Sequence, residues 1–357
     1  DVVVFYVFFE SVLIPIFIFL YFWGSRERKL LSGYLFFIYT LFGSLFILLG
    51  LLFIYFLVGS TDYSVLLEVP FTFNQQIFLW ISFFIAFAVK VPILPVHLWL
   101  PEAHVEAPTA GSVILAGVLL KLGAYGFFRF SLPLFPLACF FFRPFVFLIS
   151  TVAVIYTSIT ALRQVDIKRV IAYASIAHIN ITLLGLFSFS TKGIIGSLYQ
   201  IISHGLVSGA LFLCVGVLYD RHHSRLIAYY SGLVHSIPLF TTFFLFFTLA
   251  NIGFPGTSSF IGEYLILVGV FVVNPIVACL SGLSLVLGGG YSLWLYNRLA
   301  YGNIKLQYIS YSRDVINKEF FILILLVLVI VFLGVFPNCF INMIQLSCFG
   351  LTKHLFI

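Results

Sequence analysis

Apolar runs of about 20 residues recur from one end of the chain to the other, and that repetition decides the fold class before any motif is read. A hydrocarbon layer roughly 30 Å thick is crossed by about 20 apolar residues of helix. Runs of that order occupy roughly 2–23, 34–58, 77–98, 109–130, 144–162, 169–187, 193–218, 234–272, 276–297 and 319–337. In lipid every backbone polar group must be satisfied within the protein, which leaves helices or closed barrels. The runs are continuous rather than alternating, so helices are expected. Charged residues make up only 8% of the chain, too few for the surface of a soluble globule. The reading is an all-α polytopic membrane protein with about ten transmembrane helices.

Ten crossings place the loops on alternating sides, and the basic residues test that arrangement. One side collects Arg26, Arg28, Lys29, Arg163, Lys168, Arg169, Arg221, Arg225, Arg298, Lys305, Arg313 and Lys318. The other has Arg129, Arg143, Lys192 and Lys353, so twelve stand against four, with Lys90 and Lys121 inside spans. Short basic loops stay on the side of synthesis, so this side is expected to be cytoplasmic or, in a mitochondrion, matrix. The net charge of +6 is scattered over these loops and is no nucleic-acid footprint. The segment "FINMIQLSCFGLTKHLFI" is short for a span and is expected to lie along the membrane surface. The chain begins at Asp1 and its one methionine is Met343. A processed start, unusual initiation or a longer product would each account for that.

Two spans carry helix breakers. "VKVPILPVHLWLPEAHVEAPT" (89–109) places Pro92 and Pro95 just after Lys90, and "NIGFPGTSSFIGEY" places Pro255 and Gly256 inside an overlong run. Proline removes a backbone donor and clashes with the carbonyl four residues back, so each crossing is expected as two half-helices. Inverted repeats with discontinuous helices are a recurring transporter design. The chain divides accordingly into 1–130, an incomplete first half-channel repeat of four spans; 144–300, a second inverted repeat; and 301–357, a last transmembrane helix and tail.

Glu10, Lys90, Lys121 and Glu263 fall inside apolar spans, joined by His178 and His204. A charge at mid-membrane costs about 2.5–3.5 kcal/mol on insertion scales, and such residues usually face the bundle interior and mark ion or proton routes. Glu10 is the natural partner for Lys90. Lys121 could be a central stop, with the histidines extending the line, since neutral imidazole both donates and accepts. The blander alternatives are a static Glu10–Lys90 ion pair, histidines that merely pack helices, and a Glu263 bonded to the freed backbone of Thr257 to Ser259. Glu102, His104 and Glu106 read as a polar cap on a connection rather than a metal site. Asp220, Arg221, His222 and His223 read as a solvated or neighbour-docking loop. The five cysteines show no metal-ligand or disulfide spacing.

The segment "FAVKVPILPVHLWLPEAHVEAPTAGSVILAGVLLKLGAYGFFR" resembles the signature of the subunit 4 family of NADH:ubiquinone oxidoreductase, respiratory complex I. "FFESVLIPIFI", "GSRERK", "SHGLVSGALF", "YDRHHSR" and "FPGTSSFIGE" extend the likeness in order along nearly the whole chain. The resemblance implies an antiporter-like proton-pumping subunit of the mitochondrial inner membrane, without a redox centre of its own. NADH, FMN, iron–sulfur clusters and ubiquinone would be handled by other subunits. It implies a proton relay of Glu10 paired with Lys90, then Lys121, His178, His204 and a terminal Glu263. Family members have about fourteen spans with the glutamate motif in the fifth, so four leading helices are missing here. Another polypeptide, supernumerary subunits or lipids such as cardiolipin are expected to fill that place, beside neighbouring membrane-arm subunits. A cation/proton antiporter subunit without redox coupling is the competing reading.

Overall fold

The structure, a computed structural model, describes residues 1–305, 307–308 and 313–356. In chain order its principal helices begin with α1 (Val2–Trp23), α2 (Lys29–Val58) and α3 (Phe73–Lys90). A short α4 (Trp99–Glu106) leads to α5 (Thr109–Leu134), α6 (Pro136–Leu162), α7 (Ile167–Leu186) and α8 (Thr191–His222). Then come α9 (Pro238–Ile252), α10 (Ser258–Val273), α11 (Pro275–Ala300), α12 (Asn317–Val335) and α13 (Asn338–Phe356). Among the described residues nine of these helices are long and apolar enough to cross a membrane, and α9 and α10 are two shorter apolar helices that together cover the expected tenth span.

Polar residues at the ends set where the helices begin. Asp166 accepts from Lys168 N, Ser190 from Gly193 N, and Asn274 from Ile276 N and Val277 N. Each satisfies donors that a first helical turn otherwise leaves open. Two boundaries differ from the sequence reading. The third crossing stops being helical at Lys90, not at 98, because Pro92 and Pro95 fall where backbone donors would be needed. The helix expected from 144 starts at Pro136 and carries Pro144 inside it. Proline at a helix start forfeits nothing, and in a packed membrane helix its neighbours make good an interior one.

The core lies along α7 and α8. Helix α7 is almost wholly buried, whereas α1 and α12 turn most of their surface outward. Helix α8 packs against α7, α10 and α5, α6 against α7 and α11, and α2 against α3. The α8–α10 approach is made by glycines: a Cβ on Gly196 would meet Ile266 N at 2.7 Å, and one on Gly262 would meet Gln200 Cα at 2.9 Å. Small residues of this kind let membrane helices close to backbone contact. Helix α13 packs against α8 and the end of α5, running by the α7–α8 turn and the end of α10.

Candidate functional site

Glu10, Lys90, Lys121 and Glu263 stand where their helices are irregular, whereas His178 and His204 lie within the regular helices α7 and α8. Glu10 precedes the discontinuity at Val12 within α1, and Lys90 is the last residue of α3. Residues Leu115–Leu119 of α5 wind as a π-type turn, and Lys121 follows it, its Nζ donating to the Ala116 carbonyl. Glu263 lies in the second turn of α10, after the left-handed Gly253 (φ 78°) and Gly256 (φ 93°) that separate α9 from α10. The proline and glycine breaks thus lie where the sequence places them. Loosened turns expose carbonyls that can bond a cation, and π-turns are frequent at functional sites.

Four of the six residues form one line. Lys121 Nζ lies 2.9 Å from His204 Nδ1, and His178 Nδ1 lies 2.8 Å from Glu263 Oε1. The two imidazoles face each other with ring centroids 5.6 Å apart. Gln200 Nε2 donates to the same Glu263 oxygen at 3.0 Å. The backbone allows this because Gly205 of α8 meets Gly117 of α5, where an added Cβ would lie 3.2 Å from the Gly117 carbonyl oxygen. His178 Nε2, His204 Nε2 and Glu263 Oε2 are buried with no hydrogen-bond partner, so the line retains open donors and acceptors. Glu263 does not bond the freed backbone of the break. Ser259 Oγ instead donates to the Ala250 carbonyl and Thr257 Oγ1 to Phe254 O, at 2.7 Å.

Glu10 and Lys90 form a separate site with no hydrogen bond to the line. Lys90 Nζ is buried without a hydrogen-bond partner and sits 4.7 Å above the Phe9 ring, and Glu10 Oε1 is likewise unpartnered. No ion pair within 4.0 Å joins them among the described residues, yet each is close enough to feel the other's charge. Gly123 of α5 packs on Lys90, where a Cβ would lie 3.1 Å from the lysine Cβ, so the two lysine-bearing helices touch at this level.

A second polar cluster was not read from the sequence. Arg225, only 1% exposed, donates to the Val105 carbonyl and lies 3.8 Å from Glu106 Oε1 and 3.9 Å from Asp166 Oδ2. Lys168 Nζ donates to Ala107 O at 2.7 Å, and Ser25 Oγ to Glu106 Oε2 at 3.3 Å. Burial raises the Asp166 pKa, with Arg225 opposing it. Glu106 is therefore an ion-pair partner rather than a solvated cap. Glu102 reaches Arg169 at 2.6 Å, and His104 is buried against the Phe212 ring with centroids 4.6 Å apart. Arg221 is no solvated loop residue: it pairs with Glu319 at 2.7 Å and donates to Asp314 O, tying α8 to α12. Gln200 did carry a sequence signal, being polar and one helical turn before His204. Among the described residues, no three His, Cys, Asp or Glu side chains converge as metal ligands.

Fold and site together define a polytopic helical membrane protein with a buried row of titratable groups between its helices. The comparisons narrow that class. A family model described as "NADH:quinone oxidoreductase/Mrp antiporter, TM" matches residues 1–288, and the chain belongs to this family. It is 56% identical to NADH-ubiquinone oxidoreductase chain 4 of Marchantia polymorpha and 57% identical to that of Arabidopsis thaliana, each over 99% of this chain and 72% of the relative. A chain of respiratory complex I from Thermus thermophilus with bound NADH superposes with TM-score 0.94 at 33% identity, over 99% of this chain and 75% of that one. A chain of the Mrp complex from Dietzia sp. DQ12-45-1b shares the fold, with TM-score 0.87 at 17% identity over 98% of this chain and 75% of that one.

Proposed function

We propose that this chain is a membrane-arm subunit of NADH:ubiquinone oxidoreductase, of the chain 4 kind, and that it moves protons while other subunits carry the electrons. The observation that carries the relay is the line Lys121–His204–His178–Glu263, with contacts of 2.9 and 2.8 Å at its two ends. A proton leaving Lys121 has an acceptor on His204, and a proton reaching His178 has the Glu263 carboxylate beside it. Crossing between the imidazoles takes one bridging water or a small ring rotation over the 5.6 Å between centroids. Lys90 and Glu10 form the upstream site: moving charge toward or away from the unpartnered Lys90 changes its proton affinity. Each charge carried across the full potential is worth about 2.3 kcal/mol per 100 mV.

Organisation around the relay follows the same reading. Residues 1–130 and 144–300 act as inverted repeats, each with one broken helix, and 301–357 close the second. The relatives named as chain 4 support a place in the mitochondrial inner membrane, with the basic loops toward the matrix. Neighbouring antiporter-like subunits are the partners, and NADH, FMN, iron–sulfur clusters and ubiquinone belong to other subunits. The relatives extend beyond the matched region. The outward face of α1 is where the corresponding helices, from this or a separate polypeptide, or lipid such as cardiolipin, would pack.

Lys121→Ala tests the relay. In sealed vesicles with NADH as donor, the protons moved per NADH oxidised should fall while the assembled complex persists. An unchanged ratio removes Lys121 from the path. An antiporter without redox coupling remains the second reading, favoured only by the shared Mrp fold; cation-driven proton movement that ignores NADH would select it.

A further inference from the structure

On the side of the bundle poor in basic residues, two of the four cations line one cleft and a third is next to it in sequence. Arg143 and Lys353 line a cleft of about 630 Å³ together with Ser188, Ser190, Thr191 and Val272. Lys192 follows Thr191 directly. The fourth cation, Arg129, is engaged elsewhere, 4.2 Å over the Tyr63 ring. No Asp or Glu occurs in 130–145, 186–193, 272–276 or 336–353, the stretches that surround the cleft. None of the ion pairs among the described residues includes Arg143, Lys192 or Lys353. The lining of the cleft carries two positive charges and no acidic side chain.

Its walls are those of a lipid site. The Arg143 guanidinium lies against two rings, 5.7 Å from Phe140 and 5.8 Å from Phe189, which fix its position without neutralising it. Arg143 is seven residues into α6, about 10 Å of helical rise from its start. Val272 and Phe349 are exposed at the mouth and offer apolar surface beside the cations. A basic pocket flanked by apolar helix surface selects an anionic headgroup that brings its own tails. We infer that this cleft binds the phosphate of an anionic phospholipid, between α6, the α7–α8 turn and α13. The lipid there holds α13 on the bundle by bridging Arg143 to Lys353. This inference rests on the membrane fold and is independent of the relay.

The test is photolabelling of the solubilised native assembly with a phosphatidylglycerol that carries a diazirine on one acyl chain, followed by peptide mapping. Label should appear in peptides that contain Val272–Val273 or Phe349–Lys353. Unlabelled phosphatidylglycerol should compete it away, whereas phosphatidylcholine should not. Combined Arg143→Gln and Lys353→Gln should lower labelling at least fivefold, and Arg143→Lys should retain most of it. If the double variant does not assemble, Lys353→Gln alone, at an exposed position, should still show the loss. Equal competition by phosphatidylcholine would mean ordinary annular lipid and overturn the site. Displacement by millimolar sodium phosphate would make it a free-anion site, and undiminished labelling of the variants would remove the cations from it.

Discussion

At the scale of single residues, the chain stabilises several ionisable groups where each is costly, and two solutions differ. Along the relay, contacts are made through rings and one amide, leaving His178 Nε2, His204 Nε2 and Glu263 Oε2 open. In the basic-side cluster Arg225 holds Val105 O and draws Glu106 and Asp166 toward it, joining three loops far apart in sequence. Removing one partner of a buried pair leaves the other charge uncompensated, at about 3–5 kcal/mol. Arg225→Gln should therefore cost stability of that order and reduce the amount of assembled complex on a native gel. Normal assembly with a normal melting temperature would mean that Glu106 and Asp166 find other partners. The six residues proposed for the relay stand out in the sequence because an ionisable group in an apolar run has few innocent explanations. Arg225, Asp166 and Lys168 were not, because basic residues between spans are ordinarily solvated and nothing local marks these three as buried.

At the scale of helices, the relay's distances are set by how closely α7, α8 and α10 approach. Gly196 and Gly262 allow backbone contact between α8 and α10, and Gln200, opposite Gly262, donates to Glu263. A Cβ at residue 262 would fall 2.5 Å from Gln200 Oε1 and 2.9 Å from Gln200 Cα, and backbone cannot yield as a side-chain tip can. Gly262→Ala should push α10 outward and lengthen the His178–Glu263 contact beyond 2.8 Å. The expected result is weaker proton movement per NADH together with a lower melting temperature. Gly282, whose added Cβ would meet nothing within 4 Å, is the matched control and should tolerate alanine. A Gly262→Ala protein that pumps normally would show that the relay does not depend on this spacing. The broken helices were visible in advance because proline and glycine act locally. The π-type turn before Lys121 was not, since Leu115–Leu119 has no residue that forces it and the lysine's bond to Ala116 is what the winding accommodates.

At the scale of the whole molecule, the proposed proton path needs a source of energy, and on the proposed reading other subunits supply it. The line from Lys121 to Glu263 connects groups of similar role, and Lys90 with Glu10 stands apart from it by at least one unbridged step. Helices α3 and α5 touch through Gly123, and this is the contact by which a protonation change at Lys90 would have to be passed toward Lys121. On the proposed reading, that arrangement would transmit a charge signal received from a neighbouring subunit. A chain built this way should be inactive alone and should be found only inside a larger assembly. Native-gel separation of mild-detergent membranes, with mass spectrometry along the lane, tests this directly. Co-migration with flavin and iron–sulfur subunits in an NADH-oxidising band places the energy source in electron transfer. Migration with other antiporter-like chains and no redox protein would leave the proton path standing but assign its driving force to a cation gradient. In that outcome, proton movement should follow an imposed sodium or potassium gradient and ignore NADH.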